Sequence, residues 1–304
     1  MLRLKDLKED GLMRQIAAQI KTDASVIAGI GDDAAVLAFT KDKYLLFKTD
    51  CVVEGTHFKK ETPAFLVGRK ALARNLSDIA AMGGIPRHAV ITLGISADKP
   101  VDYALGIFQG INDLAGQFKV NLVGGETSRA RPTFISIALL GEVEKKYLTL
   151  RSTAKAGDLI FTSAALGNSF KSEKHLKFIP RIEAARFLVK NFKPSAMLDI
   201  SDGLIKDLKR LLYKSDKGAV LFEELILLSK GASLKSALYE GEDYELLFTL
   251  DADKAAALVR KLKAEKKFSF NCIGQIASRQ CGLILYDRKL RPLRIKEAGF
   301  EHFR

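Results

Sequence analysis

Two adjacent carboxylates, Asp32 and Asp33, follow a glycine-lined turn in the stretch AGIGDDAAVL. The spacing of Gly29, Gly31 and Ala34 imitates a G-x-G-x-x-A dinucleotide loop, yet the acids stand where a pyrophosphate would have to approach. Taken alone, the pair is explained by an Asx-type turn, in which aspartates bond nearby amides. Four further segments repeat the device. KTDCVVEGTHF sets Thr49 and Asp50 at the end of an apolar run, with His57 seven residues on. ARNLSDIAAMGG puts Asp78 among Ala, Leu, Ile and Met, on one helical face with Asn75. An acid there is costly unless paired or metal-bound. NLVGGETSR carries Glu126 behind two glycines, which permit close backbone approach. LDISDGL brackets Ser201 with Asp199 and Asp202; N-capping explains one of these but not Asp199 on the preceding strand.

Carboxylates and hydroxyls are hard oxygen ligands of the kind Mg²⁺ takes, usually together with waters and phosphate oxygens. No His/Cys cluster suits zinc. The G-x-x-x-x-G-K-[ST] phosphate loop and the H-R-D and D-F-G strings of protein kinases are missing. Acids gathered from several strand ends therefore suggest a multi-metal site in which cations neutralise a nucleotide triphosphate. The alternative, a mixture of caps and turns, is not removed by the residues themselves.

The elements that must position these acids alternate strand and helix, which gives an α/β or α+β class. Helical spacing predicts a first helix over 4–21. KYLLFKTD (43–50) reads as a strand. Thr62 as N-cap and Pro63 at N1 open a helix of about five turns that closes at Gly83–Gly84. A strand at RHAVITLGIS, a helix over 100–118 and strands at VNLVGGE and TFISIALLGEV follow. Composition shifts at EKKYLTLRSTAKAGD, so the domains are 1–146 and 147–304. The second half holds a strand at DLIFTSA and a turn at LGNS. A helix at about 180–192 precedes MLDISDGLIKDLKRLLYK, a strand end feeding a helix. An apolar strand, EDYELLFTL, preceded by acids, and a lysine-rich helix over 251–265 follow.

At 304 residues the chain has room for two cores. Hydrophobic residues at 47% and charged residues at 28% describe a globular protein, and no run approaches the ~20 apolar residues of a membrane span. The start, MLRLKDLKED, is neither signal nor transit sequence, so a cytoplasmic location is expected, with no membrane partner. Three cysteines without C-x-x-C spacing provide no disulfide framework. The net charge of +13 comes from scattered lysines with no aromatic-interleaved block, which describes a solvated surface rather than a nucleic-acid face.

In this order, GIGDDAAVL, KTDCVVEGTHF, GRKALARNLSDIAAMGG, NLVGGETSR, LRSTAKAGD, LDISDGL, GEDYELLF and GFEHF closely resemble the thiamine-monophosphate kinase family. That family sits in a superfamily with aminoimidazole-ribonucleotide and selenophosphate synthetases. The resemblance runs from about residue 28 to the C-terminus. It implies a two-domain synthetase-like fold whose N-terminal domain forms a β-barrel-type interface in a homodimer, with a C-terminal α/β domain completing the nucleotide and substrate site. The implied reaction is transfer of phosphoryl from ATP to thiamine monophosphate, giving thiamine diphosphate.

By the same resemblance, Asp32, Thr49, Asp50, Asp78, Asp199 and Asp202 are Mg²⁺ ligands, with turnover depending on Asp50 and Asp78. Gly125 and Glu126 touch nucleotide, and Glu126 also metal. Arg151 and Ser201 contact ATP. His57, Glu242, Asp243 and Phe300 contact thiamine monophosphate, and Asp33 is a structural partner. Two departures stand out. Glu126 replaces the family's usual aspartate, and Lys48 stands where a small hydroxyl residue is common, able to replace part of a cation's charge. The other readings are a synthetase of the same superfamily, selenophosphate- or purine-type, and a catalytically silent nucleotide-binding protein. The selenophosphate branch usually carries a reactive Cys or selenocysteine in an N-terminal glycine-rich loop, and the three cysteines here lie elsewhere.

Overall fold

A computed structural model describes residues 3–296 and 299–303 of the chain. The first half runs α1 (Leu4–Ala17), β1 (Val26–Ala28), β2 (Ala35–Ala38), β3 (Lys43–Val53), α2 (Ala64–Ala81), β4 (Ile85–Ile95), α3 (Val101–Phe118), β5 (Asn121–Arg129) and β6 (Phe134–Glu144). Its six strands form one mixed sheet in the order β1-β2-β3-β6-β4-β5. Strands β4 and β5 are parallel, joined through α3, and the other pairings are antiparallel. The sheet is open within the chain. No closed barrel forms among the described residues, so any barrel would have to be completed by a second copy.

The second half contains β7 (Leu159–Thr162), α4 (Lys174–Lys177), α5 (Ile182–Asn191), β8 (Ala196–Asp199), α6 (Leu204–Ser215), β9 (Lys217–Phe222), α7 (Leu234–Tyr239), β10 (Leu246–Leu250), α8 (Ala252–Glu265), β11 (Asn271–Ser278), β12 (Leu283–Tyr286) and β13 (Pro292–Leu293). The sheet order is β13-β12-β9-β11-β7-β10-β8. Alternate residues of β10 enter two cores: Leu247 packs with Leu198, Leu204 and Leu208, whereas Leu246 and Phe248 pack with Leu188 and Leu258. Helices therefore cover both faces, which is why LLFTL is apolar without alternation.

Helix α2 holds the two halves together. Its apolar stripe, Leu72, Leu76 and Ile79, packs on Leu46, Ile135 and Ile137 of the first sheet, while Ala80 and Ala81 belong to the second half's core. Against α3 it closes to glycine contact. A Cβ on Gly68 would strike the Ile107 carbonyl, and one on Gly110 the Phe65 carbonyl. With so much of α2 enclosed, Lys70, Asn75, Ser77 and Asp78 are buried as well, and each must find a partner.

Boundaries differ from expectation in β10, which begins at Leu246 rather than at Glu242, and in two helices. Pro63 is itself the N-cap residue of α2, and the helix begins at Ala64. Helix α1 stops at Ala17 instead of reaching 21 and is broken at Lys8, where φ is 55°. Only Gly11 of α1 is buried, so no packed face sustains its last turn.

Candidate active site

A cleft of about 710 Å³ opens where the two sheets meet across α2. The turn between β1 and β2 brings Asp32 to it, β3 brings Lys48 and Asp50, and α2 brings Arg74 and Asp78. From the second half come Asp199 at the end of β8, Ser201 and Asp202 in the following loop, and Lys206 and Arg210 on α6. Arg151, on the connection between the sheets, completes the rim. Strand alternation accounts for Lys48 and Asp50 sharing the face that carries Leu46 and Val52, toward α2.

Three buried acids, Asp33, Asp78 and Asp199, each offer one carboxylate oxygen, and these oxygens lie within 4.8 Å of one another. Ser77 Oγ donates to Asp199 Oδ2 at 2.5 Å. Asp78 Oδ2 is buried and receives no hydrogen bond; its nearest cation is Lys48 Nζ at 3.2 Å. Three buried carboxylates this close together, with a lysine beside one of them, are a hard-oxygen donor set that fits Mg²⁺. Electrostatics agree. Burial, and then the charge of Asp33, push the Asp199 carboxyl up to about 7. The same two causes push Asp32 up to about 6. Burial raises Asp78 well above the usual carboxylate range, and Asp50 and Asp199 add to the effect against the pull of Lys48.

This arrangement has a testable consequence for stability. A folded-state pKa raised above the unfolded value gives stability that is present below about pH 4 and lost as pH rises through the raised values. Asp32 and Asp199 set that window at about 6 to 7. The melting temperature of metal-free protein is therefore expected to fall between pH 5 and 8, and Mg²⁺ to flatten the fall. Thermal melts in chelator and in Mg²⁺ across this range check it; a level metal-free profile contradicts it.

Cations surround the acids. Arg151 forks onto Asp33, with Nη2 to Oδ1 at 2.5 Å and Nε to Oδ2 at 3.1 Å, and its backbone N–H donates to Asp32 Oδ2. Asp50 lies 3.5 Å from Arg74 and 4.0 Å from Lys48. Burial would raise its carboxyl, but Arg74 and then Lys48 outweigh burial and hold it below the usual range. Asp202 pairs with Arg210 at 2.7 Å and Lys206 at 3.2 Å. Asp207, on the first turn of α6, accepts the backbone N–H groups of Ser201 and Asp202 and so fixes the loop that presents both.

Other expected residues lie differently. Thr49 borders the cleft, but alternation turns its hydroxyl to the opposite face, 3.4 Å from Ser136 Oγ. What it offers the acids is main chain. Glu126 is remote from Asp50 in the same chain. It pairs with Thr92, Thr92 with Ser136 and Ser136 with Cys51, which puts it three strands away on β5. Gly125 and Glu126 border a separate hollow of about 400 Å³ with Ile91, Phe108 and Leu122.

His57 is buried near the cleft, its Nδ1 accepting from the Val53 N–H. Burial, then the Arg74 charge, lower it to about 4, so the ring is neutral at pH 7. Phe300 lies 6.3 Å from His57 and edge-on to His302 at 4.7 Å, ring centre to ring centre. Its backbone N–H donates to Asp202 O and its carbonyl accepts from Lys206, which ties the GFEHF segment to α6. The Glu242 carboxylate is taken by Lys70 and His175. That of Asp243 is taken by the Gly167 N–H, Ser169 Oγ and Lys174. Both acids thus build the wall behind Tyr244, which lines the cleft.

Reading the residues one segment at a time did not reveal Asp33 as a member of the acid triad, nor Asp207, Tyr244 and His302 as neighbours of the cleft. The doubled acid at 32–33 was the one available signal, since adjacent residues leave a turn in different directions.

Comparison with known proteins agrees with this geometry. Residues 31–143 match the family model of the AIR synthase related protein N-terminal domain, and residues 145–285 that of its C-terminal domain. The thiamine-monophosphate kinase of Buchnera aphidicola subsp. Schizaphis graminum is 36% identical over 93% of this chain and 94% of its own. That of Escherichia coli is 33% identical over 90% and 91%. The solved structure of AaThiL complexed with AMPPCP and TMP superposes with a TM-score of 0.86, at 29% identity and 99% coverage of both chains. With the two family models matched in succession over residues 31–143 and 145–285, and relatives of this name at up to 36% identity over most of the chain, the chain belongs to the thiamine-monophosphate kinase family.

Proposed function

We propose that this protein transfers the terminal phosphoryl group of ATP to the phosphate of thiamine monophosphate, giving thiamine diphosphate and ADP. The observation that carries the reading is the convergence of Asp33, Asp78 and Asp199 from three separate segments at a cleft rimmed by Arg151, Lys206 and Arg210, in a chain of this family. A neutral surface pocket would not need buried acids held together against their own repulsion.

The acceptor is a phosphate oxygen, already largely anionic at neutral pH because its second pKa is ~6. No strong general base is required. The difficulty is to seat one anion against another, so positioning and charge compensation carry the rate. Asp32, Asp33, Asp50, Asp78, Asp199 and Asp202 would hold Mg²⁺, with the Thr49 main chain beside them. When bound, Mg²⁺ supplies charge neutralisation between the two phosphates. Arg151, oriented by Asp33, and Ser201, held by Asp207, face the nucleotide. Lys206 and Arg210, on α6, add positive charge at the cleft. His57 and Phe300 contact thiamine monophosphate, while Glu242 and Asp243 hold the wall against which it rests.

Gly125 and Glu126 reach a nucleotide only if a second copy presents them. Strand β5 is an edge strand exposed along its length, with Val123 60% exposed. An uncovered apolar edge is a template for pairing, which supports a homodimer joined through the first sheet. The change of sheet between residues 144 and 159 supports a boundary at 146/147. Among the described residues no helix is long and apolar enough to cross a membrane, and dependence on ATP suits a cytoplasmic enzyme.

The deciding experiment is incubation with ATP, Mg²⁺ and thiamine monophosphate, followed by separation of the thiamine esters. Thiamine diphosphate in step with ADP is expected. Orthophosphate release without thiamine diphosphate would overturn the reading in favour of a synthetase. Phe300→Ala is expected to raise the KM for thiamine monophosphate about 5-fold with little change in kcat, the equivalent of the ~1 kcal/mol of one aromatic contact. An unchanged KM removes that role.

A further inference from the structure

We infer that Lys48 is a built-in cation, supplying from the chain itself the positive charge between Asp50 and Asp78 that a further divalent ion would otherwise provide. The inference rests on the reading of the cleft as a divalent-cation site.

Its basis is position. Lys48 Nζ lies 3.2 Å from Asp78 Oδ2 and 4.0 Å from Asp50 Oδ1. Strand β3 fixes it there: Lys48 pairs with Leu139, and Phe47 with both Ala35 and Leu140, so the segment is held from both sides. Asp50 is its neighbour on the same strand face, and Asp78 projects onto that face from α2.

Magnesium binds carboxylate oxygens at about 2.0–2.1 Å and demands near-octahedral surroundings. An ammonium already 3.2 Å from Asp78 Oδ2 fills the space on the β3 side of that carboxylate. A divalent ion in the same place would meet its charge at van der Waals distance. Asp78 also offers a carboxylate oxygen within 4.8 Å of oxygens of Asp33 and Asp199, and that donor set is the one left for a divalent ion. Lysine is a compact point charge with three donors and no acceptor. It therefore balances two carboxylates by engaging the oxygens that a further metal ion would otherwise take. The site reaches its working charge with one metal ion fewer than an uncharged residue at position 48 would demand.

The test counts ions without using turnover. Wild-type and Lys48→Ser proteins are titrated with Mn²⁺ in the presence of a non-hydrolysable ATP analogue and no thiamine phosphate. Bound Mn²⁺ is obtained from the loss of the free-ion electron paramagnetic resonance signal. The Ser variant is expected to bind one Mn²⁺ more per chain than wild type. An equal count overturns the inference and leaves the kinase reading intact. No bound Mn²⁺ in either protein overturns both. Lys48→Ala serves as a second variant. If neither variant folds without metal, recovery of the fold on adding Mn²⁺ supports the inference and failure to recover overturns it.

Discussion

Replacing Asp78 with asparagine is expected to lower kcat by ~10³-fold or more and, at the same time, to raise the melting temperature of the metal-free protein. Both effects have one origin. Asp78 is buried on α2, its Oδ2 without a hydrogen bond, among the charges of Asp33, Asp50 and Asp199. Its carboxyl is driven well above the usual range, so keeping it ionised at neutral pH costs folding energy. Asparagine keeps the shape and removes that cost. It also removes the negative charge that completes the donor set with Asp33 and Asp199. The measurement is paired: steady-state rates at saturating Mg²⁺, and melts in chelator and in Mg²⁺. Near-normal kcat would remove Asp78 from the reaction. A lower metal-free melting temperature would contradict the electrostatic account.

The second large effect is on stability alone. Lys70→Met is expected to cost about 3–5 kcal/mol, the range for leaving one partner of a buried ion pair alone. Lys70 is fully buried, donating to Glu242 Oε2 at 2.5 Å and the His57 carbonyl at 2.6 Å, with His175 Nδ1 at 2.8 Å. Burial lowers the Lys70 ammonium to about 8. Burial opposes ionisation of Glu242, but hydrogen bonds from His175 and the charge of Lys70 hold it down to about 2. Both values leave the pair ionised at pH 7. The pair ties α2 to the loop before β10, and thus one half of the chain to the other. Methionine fills the volume but deprives the Glu242 carboxylate of its ammonium partner, leaving it the contact with His175. The double variant Lys70→Met with Glu242→Gln should recover most of the loss. Equal destabilisation in single and double variants, read from denaturant melts, would show that packing rather than charge is responsible.

Much of the scaffold was legible beforehand because it follows from local rules. The apolar run of KYLLFKTD identifies β3, and the start at Thr62–Pro63 with the stop at Gly83–Gly84 identifies α2. Strands β9 and β11, six and eight residues long with a glycine inside each, are not identified from the sequence, nor are elements too short to establish a period. Strands β1, β2 and β13 have two to four residues, and helices α4 and α7 four and six. The end of α1 was over-extended for a related reason, since periodic side chains form a helix only where something covers them.

The sequence by itself determined the donor chemistry of this protein: oxygen ligands at strand ends, no thiol or imidazole cluster, and order along the chain close enough to a known family to imply the reaction. Only the tertiary structure decided which acids meet. Asp33 joins Asp78 and Asp199, although Asp32 carried the resemblance. Thr49 turns its hydroxyl away from its neighbour Asp50, and Glu126 lies three strands off. Lys48 settles between two carboxylates, and Glu242 is spent on a buried lysine. Spacing along a chain fixes the face on which a side chain emerges. Which faces are pressed together depends on strand register and on how α2 is clasped by two cores, and those are properties of residues far apart in sequence.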